Sequence, residues 1–122
     1  IVSDHLPEDE ESKRLPFAQA ATGAIGVETL LSLSLEMYHN ESLPLSKIIE
    51  TLTINPAEIL KIKKGSLVKG SDGDICVFDL EAPWAVQADK LKSKSKNTAI
   101  EGRKLQGKVL MTFLNGQLAF NQ

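Results

Sequence analysis

Two kinds of periodicity divide this chain near residue 64, and neither half brings enough elements to close a fold by itself. Before that point apolar residues recur at helical spacing; after it they fall in short runs punctuated by glycine. From about Ala24 to His39, the residues Val27, Leu30, Leu31, Leu35 and Tyr38 share one face, widened by Leu33 and Met37. Glu28, Ser32 and Glu36 form the opposite polar stripe, which predicts a helix with that stripe away from its packed face. Asn40 to Leu43 reads as a turn, and Pro44 suits the first turn of a second helix reaching about Leu52. Asn55-Pro56 predicts a third, with Asn55 as its cap and Ala57 to Ile62 as its body. Turns at Gly65, Gly70 and Gly73 lead to Asp74–Asp79, which reads as a strand buried on both faces. Trp84–Val86 reads as a short edge strand. Asn115-Gly116, between Val109–Leu114 and Gln117–Phe120, predicts a hairpin, because both turn residues tolerate the positive φ of a type I′ turn. The helices thus have one partial strand to cover and the later strands number about four, so both halves expect partners from a longer chain.

That partial strand is the opening Ile1-Val2-Ser3, which runs into Asp4-His5-Leu6-Pro7. A short β-prone lead ending in a carboxylate is the arrangement found at the C-terminal mouth of α/β barrels, where catalytic residues gather. The chain is therefore expected to open inside an active site, with most of the machinery upstream. Residues 8–23 read as a polar loop. Composition narrows the function classes: a formal charge of −2 gives no global attraction to nucleic acid. The lysines at 90, 92, 94 and 96 lack interleaved aromatics and read as a solvated loop. A lone cysteine, Cys76, inside an apolar run excludes a disulfide framework and reads as a buried strand residue. No apolar stretch approaches the roughly 20 residues needed to span a bilayer, and no secretory leader is present, so a cytoplasmic location without membrane contact is expected. In that setting the glycosylation pattern Asn40-Glu41-Ser42 carries no weight.

Four stretches then coincide in order and spacing: Asp4-His5-Leu6-Pro7, Gly23-Ala24-Ile25-Gly26-Val27-Glu28-Thr29, Thr53 to Leu60, and Gly65 to Ile75. Ser95-Lys96-Asn97-Thr98, with Gly102, Gly107 and the closing hairpin, forms a fifth. Together they resemble the dihydroorotases of the amidohydrolase superfamily, of the type with an Asp-His-x-Pro loop. The resemblance spans the whole chain yet corresponds to the C-terminal third of such an enzyme. It implies an α/β fold: the C-terminal part of a (β/α)8 TIM barrel plus strands of a small composite β-sandwich. Residues 1–64 would hold the last barrel strand, active-site loop and closing helices, and residues 65–122 the sandwich strands. The implied reaction is the reversible cyclisation of N-carbamoyl-L-aspartate to L-dihydroorotate in pyrimidine biosynthesis, with one or two zinc ions held largely by upstream ligands.

On this resemblance Asp4 is the catalytic residue and a zinc ligand, moving a proton to the departing ring nitrogen. His5 points to the other side of the strand end and is read as structural support. His39, at a helix end, interacts with the helix dipole. Thr22 and Gly23 match the segment whose backbone contacts the pyrimidine ring, although Ala21-Thr22 replaces a common Pro-Phe. Glu8 stands where relatives carry a histidine for the substrate carboxylates. Three alternatives follow for it: the loop holds Glu8 outward, Lys13 or Arg14 compensates, or the protein is a non-catalytic dihydroorotase-like subunit scaffolding aspartate transcarbamoylase. Another cyclic amidohydrolase activity, as in hydantoinases or allantoinases, is the remaining alternative. The expected partners are the small-molecule substrate, the rest of the polypeptide and a second copy in a homodimer.

Overall fold

The computed structural model describes residues 1–122 as a three-stranded antiparallel sheet with one helix packed on its central strand and two more helices joined to that helix. Strands β1 (Ile75–Ala85), β2 (Lys104–Leu114) and β3 (Gln117–Asn121) lie in that order. The β2–β3 hairpin turns at Asn115 and Gly116, whose φ values of 51° and 75° are the paired left-handed conformations a type I′ turn requires. The turn is also anchored from outside. Asp74 accepts the Asn115 N–H at 2.8 Å and a bond from Lys64, and Gly116 donates to the Gly73 carbonyl at 2.9 Å.

Trp84 and Ala85 prolong β1 instead of forming a separate edge strand, so three strands stand where about four are expected. Between Asp79 and Pro83 the register slips: Asp79 folds back to accept the N–H groups of Glu81 and Ala82, and Pro83 resumes pairing opposite Gln106. β1 lies at the edge of the sheet, where a proline costs no ladder bond. The expected burial of Asp74–Asp79 on both faces is not met: Ile75, Cys76 and Asp79 are exposed, because only β2 pairs with this strand and nothing covers its outer face.

The helical half differs from expectation mainly at its boundaries. The loop 8–23 contains a short helix α1 (Glu10–Lys13), capped by the Asp9 carboxylate on the Ser12 N–H at 2.7 Å. That bond holds Asp9 below the ordinary 3.8. The long helix α2 covers Leu30–His39, preceded by one 3-10 turn at Val27–Thr29, and Ala24–Gly26 is not helical. Helix α3 spans Leu45–Leu52 with Pro44 just ahead of it. Helix α4 spans Ile54–Ile59 instead of starting after Asn55; Thr53 takes the cap position, and its hydroxyl turns back to the Ile49 carbonyl at 2.6 Å. Only Thr53 separates α3 from α4, so Asn55 falls inside the second helix. No helix is long and apolar enough to cross a membrane.

The largest correction concerns the polar stripe Glu28, Ser32 and Glu36, which meets the strand half instead of solvent, while Leu35 on the expected apolar face is fully buried. Ser32 is buried and donates to the Gly107 carbonyl at 2.5 Å, and the Trp84 indole N–H reaches both that oxygen and the Ser32 hydroxyl at 3.1 Å. One turn earlier Glu28 accepts the backbone N–H groups of Lys92 and Ser93 at 2.8 and 2.9 Å. One turn later Glu36 binds Arg103 through both carboxylate oxygens. Residues at i, i+4 and i+8 share a helix face. Here that face carries hydrogen bonds to the strand half. Beside it lies a core of Ile25, Val86, Leu91 and Leu105, flanked by Leu33, Trp84 and Ile100.

Candidate active site

Residues 1–3 make no ladder; where a barrel strand is expected, a single parallel bridge joins His5 to Ala24, because no neighbouring strand lies alongside. Two short backbone segments, Ser3–Leu6 and Gly23–Gly26, run against each other at this point. Leu6 donates to the Ala24 carbonyl at 2.9 Å. A Cβ added at Gly23 would sit 2.7 Å from the Leu6 carbonyl oxygen, and one at Gly26 would sit 2.6 Å from that of Ser3. Only glycine admits such an approach, and Gly23 also takes a φ of +123°.

Asp4 sits at the bend, exposed, with a φ of +48°. This left-handed backbone is uncommon outside glycine but tolerated by aspartate. It aims Asp4 and His5 to different purposes. The His5 Nδ1 accepts the N–H groups of Gly26 and Val27 at 3.0 and 3.3 Å, so the imidazole caps the 3-10 turn. Asp4, Thr22 and Gly23 line one open cleft of about 670 Å³, with apolar walls from Leu30, Leu33 and Ile100.

Glu8 does not join them. It lines a second, polar cleft with Lys13, Arg14, Lys94 and Lys96. Its backbone is held by the far end of the chain: its N–H meets Asn97 Oδ1 at 3.4 Å and its carbonyl takes the Ser95 hydroxyl at 2.5 Å. The two cations proposed to offset it are otherwise engaged. Lys13 Nζ donates to the Ala21 and Gly23 carbonyls, and Arg14 pairs with Glu10. His39 ends α2, with its ring edge-on to Tyr38. The lysines at 90, 92, 94 and 96 are exposed, while the backbone between them is fastened by Glu28. Asn97 and Ser95 carried no assigned role in the sequence; their only signal was a place in a matching segment.

Cys76 is exposed, yet partial burial of its sulfur pushes the thiol above its ordinary 9.0, which disfavours the nucleophilic thiolate. No group of three or more histidine, cysteine, aspartate or glutamate side chains converges in a way that could hold a metal. Asp4 offers one carboxylate, which fits a single ligand position.

Residues 1–119 match the amidohydrolase family. The chain belongs to that family. Within it, this amidohydrolase chain is 42% identical over 120 residues to the dihydroorotase of Ehrlichia chaffeensis, covering 98% of the chain but 27% of that protein. It is 40% identical over all 122 residues to the dihydroorotase of a Wolbachia from Drosophila simulans, or 28% of that protein's length. The amidohydrolase chain thus spans little more than a quarter of these relatives. Among solved structures, L-hydantoinase (dihydropyrimidinase) from Arthrobacter aurescens is 30% identical with a TM-score of 0.79, over 85% of this chain and 24% of its own. A dihydropyrimidinase from Brevibacillus agri, at 20% identity, shares the fold with a TM-score of 0.90 over 97% of this chain and 27% of its own.

Proposed function

We propose that these residues form the C-terminal portion of a dihydroorotase that interconverts N-carbamoyl-L-aspartate and L-dihydroorotate. The observation that carries the reading is the shared cleft of Asp4, Thr22 and Gly23, in a chain about 40% identical to dihydroorotases over its whole length. In this reading residues 1–64 close a (β/α)8 barrel and residues 65–122 complete a small β-sandwich. The burial supports it: 11 of 122 residues are buried while Phe17, Ile59 and Leu67 lie open, so much apolar surface awaits further polypeptide. The same enzyme would be cytoplasmic and homodimeric.

Asp4 would provide one oxygen ligand for zinc, and the other ligands would come from outside residues 1–122. Zinc, when bound, supplies Lewis acidity at neutral pH. Asp4 itself would take a proton from the water whose oxygen adds to the ring carbonyl, and deliver it to the ring nitrogen as the C–N bond breaks. Thr22 and Gly23 present backbone polar groups to the ring. Glu8 faces lysines in a separate cleft, which keeps its charge away from a dianionic substrate. The intact Asp4 favours an enzyme over a scaffold for aspartate transcarbamoylase.

The test uses the complete polypeptide carrying these residues. Asp4→Asn is expected to lower kcat for dihydroorotate hydrolysis by about 10³-fold or more, as loss of a proton-transfer group does. Retained activity removes Asp4 from the mechanism. The identity to L-hydantoinase supports a second reading as another cyclic amidohydrolase. Faster hydrolysis of hydantoin or dihydrouracil than of dihydroorotate would select it.

A further inference from the structure

Gly23 is the meeting point of three remote parts of the chain. Its carbonyl oxygen accepts from Lys13 Nζ at 3.0 Å and from Asn97 Nδ2 at 3.2 Å, which fills both lone pairs. Lys13 also donates to the Ala21 carbonyl at 2.7 Å, so its ammonium spans the residues on either side of Thr22. Asn97 is fixed in turn. Its backbone carbonyl receives the Ile25 N–H at 3.2 Å, and its Oδ1 faces the Glu8 N–H and the Ser95 hydroxyl. The Asn97 side chain thus ties the Gly23 carbonyl on one side to the Glu8 backbone on the other.

A glycine has no side chain with which to fix itself, and one at φ +123° has the widest backbone freedom available. Gly23 must remain glycine because the Leu6 carbonyl leaves no space for a Cβ. Its peptide plane can then be set only by groups from elsewhere.

We propose that Lys13 and Asn97 are positioning residues that fix the Gly23 carbonyl and thereby the backbone wall of the cleft that Asp4 also lines. Lys13 is not a substrate cation, since it lines the cleft of Glu8 and spends two of its three donors on carbonyls. Asn97 brings the strand half of the chain into control of the site, from 74 positions away. What binds against the wall rests on the dihydroorotase reading; the clamp itself does not.

The experiment uses the complete polypeptide with Lys13→Met and, separately, Asn97→Asp, which keeps the oxygen facing Glu8 and removes the donor to Gly23. Amide exchange across residues 20–26 is measured beside KM and kcat for dihydroorotate, with zinc content and Tm recorded. Each variant is expected to speed exchange across that segment by about tenfold. KM should rise about tenfold with kcat within about twofold, because a wall that grips the ring acts alike on ground and transition states. Exchange at the parental rate overturns the clamp. Faster exchange with unchanged KM overturns its role in placing the substrate, and so does a fall in activity that tracks Tm alone. A parent protein that leaves dihydroorotate unchanged removes the proposed function, and exchange then still decides the clamp.

Discussion

Two glycines of the strand half, Gly107 and Gly116, have similar left-handed φ values of 92° and 75° yet answer to different parts of the chain. Around Gly116 nothing lies within 4 Å of where a Cβ would be. Its conformation serves the turn to which it belongs. Gly107 is buried opposite Leu35 of α2, and a Cβ there would collide with the Leu35 side chain. Its carbonyl takes the Ser32 hydroxyl and the Trp84 indole together. One glycine is thus demanded by local geometry and the other by the docking of a helix 75 positions away. The difference separates what neighbouring residues can specify from what only the assembled fold specifies.

Substitutions measure that separation directly by urea denaturation. Gly107→Ala combines backbone strain with overpacking against Leu35 and should cost about 3 kcal/mol. Ser32→Val leaves the Gly107 carbonyl with the indole alone and forces a branched side chain into its place, for about 2 kcal/mol. Gly116→Ala meets only backbone strain and should cost about 1 kcal/mol. Equal costs for the two glycines would show that α2 does not lock onto β2 as described.

The smallest effect concerns pH. The Asn115 N–H first and Lys64 second hold Asp74 below its ordinary 3.8, and the two aspartates Asp72 and Asp74 raise Lys64 above its ordinary 10.5. A depressed carboxyl contributes stability that is complete above 3.8 and is lost as pH falls through its folded value. A raised ammonium contributes below 10.5 and loses its contribution as pH rises through its folded value. The anchor of the hairpin turn is therefore at full strength between those limits. Comparing Tm against pH for the parent and Asp74→Asn should show the two curves converging on the acid side; parallel curves would remove Asp74 from the anchor.

The same contrast explains what could be read in advance. The hairpin was legible because Asn115-Gly116 states its turn in two adjacent residues. Helix α2 was legible in its end at His39 and in the burial of Leu35, but not in its start or in the fate of its polar stripe. Glu28, Ser32 and Glu36 look like a solvent stripe because periodicity reports polarity, and here polarity is satisfied by Lys92, Ser93, Gly107 and Arg103. At the candidate site, the loop Asp4-His5-Leu6-Pro7 stood out through the resemblance to dihydroorotases. The segregation of Glu8 from Asp4 was not, because it depends on Ser95 and Asn97 reaching back over nearly the whole chain. Likewise Asn55 promised a cap by its type alone, while the tight α3–α4 corner gave that place to Thr53.

The close approach of Ser3–Leu6 to Gly23–Gly26 has a consequence for how such a site diversifies. Carbonyl oxygens crowd positions 23 and 26, so neither accepts a side chain, and this stretch of wall cannot acquire a new charge or volume by point substitution. Change of shape or charge along this stretch is left to the exposed Thr22 beside it. One face of the cleft is inherited as a fixed template, and novelty enters beside it.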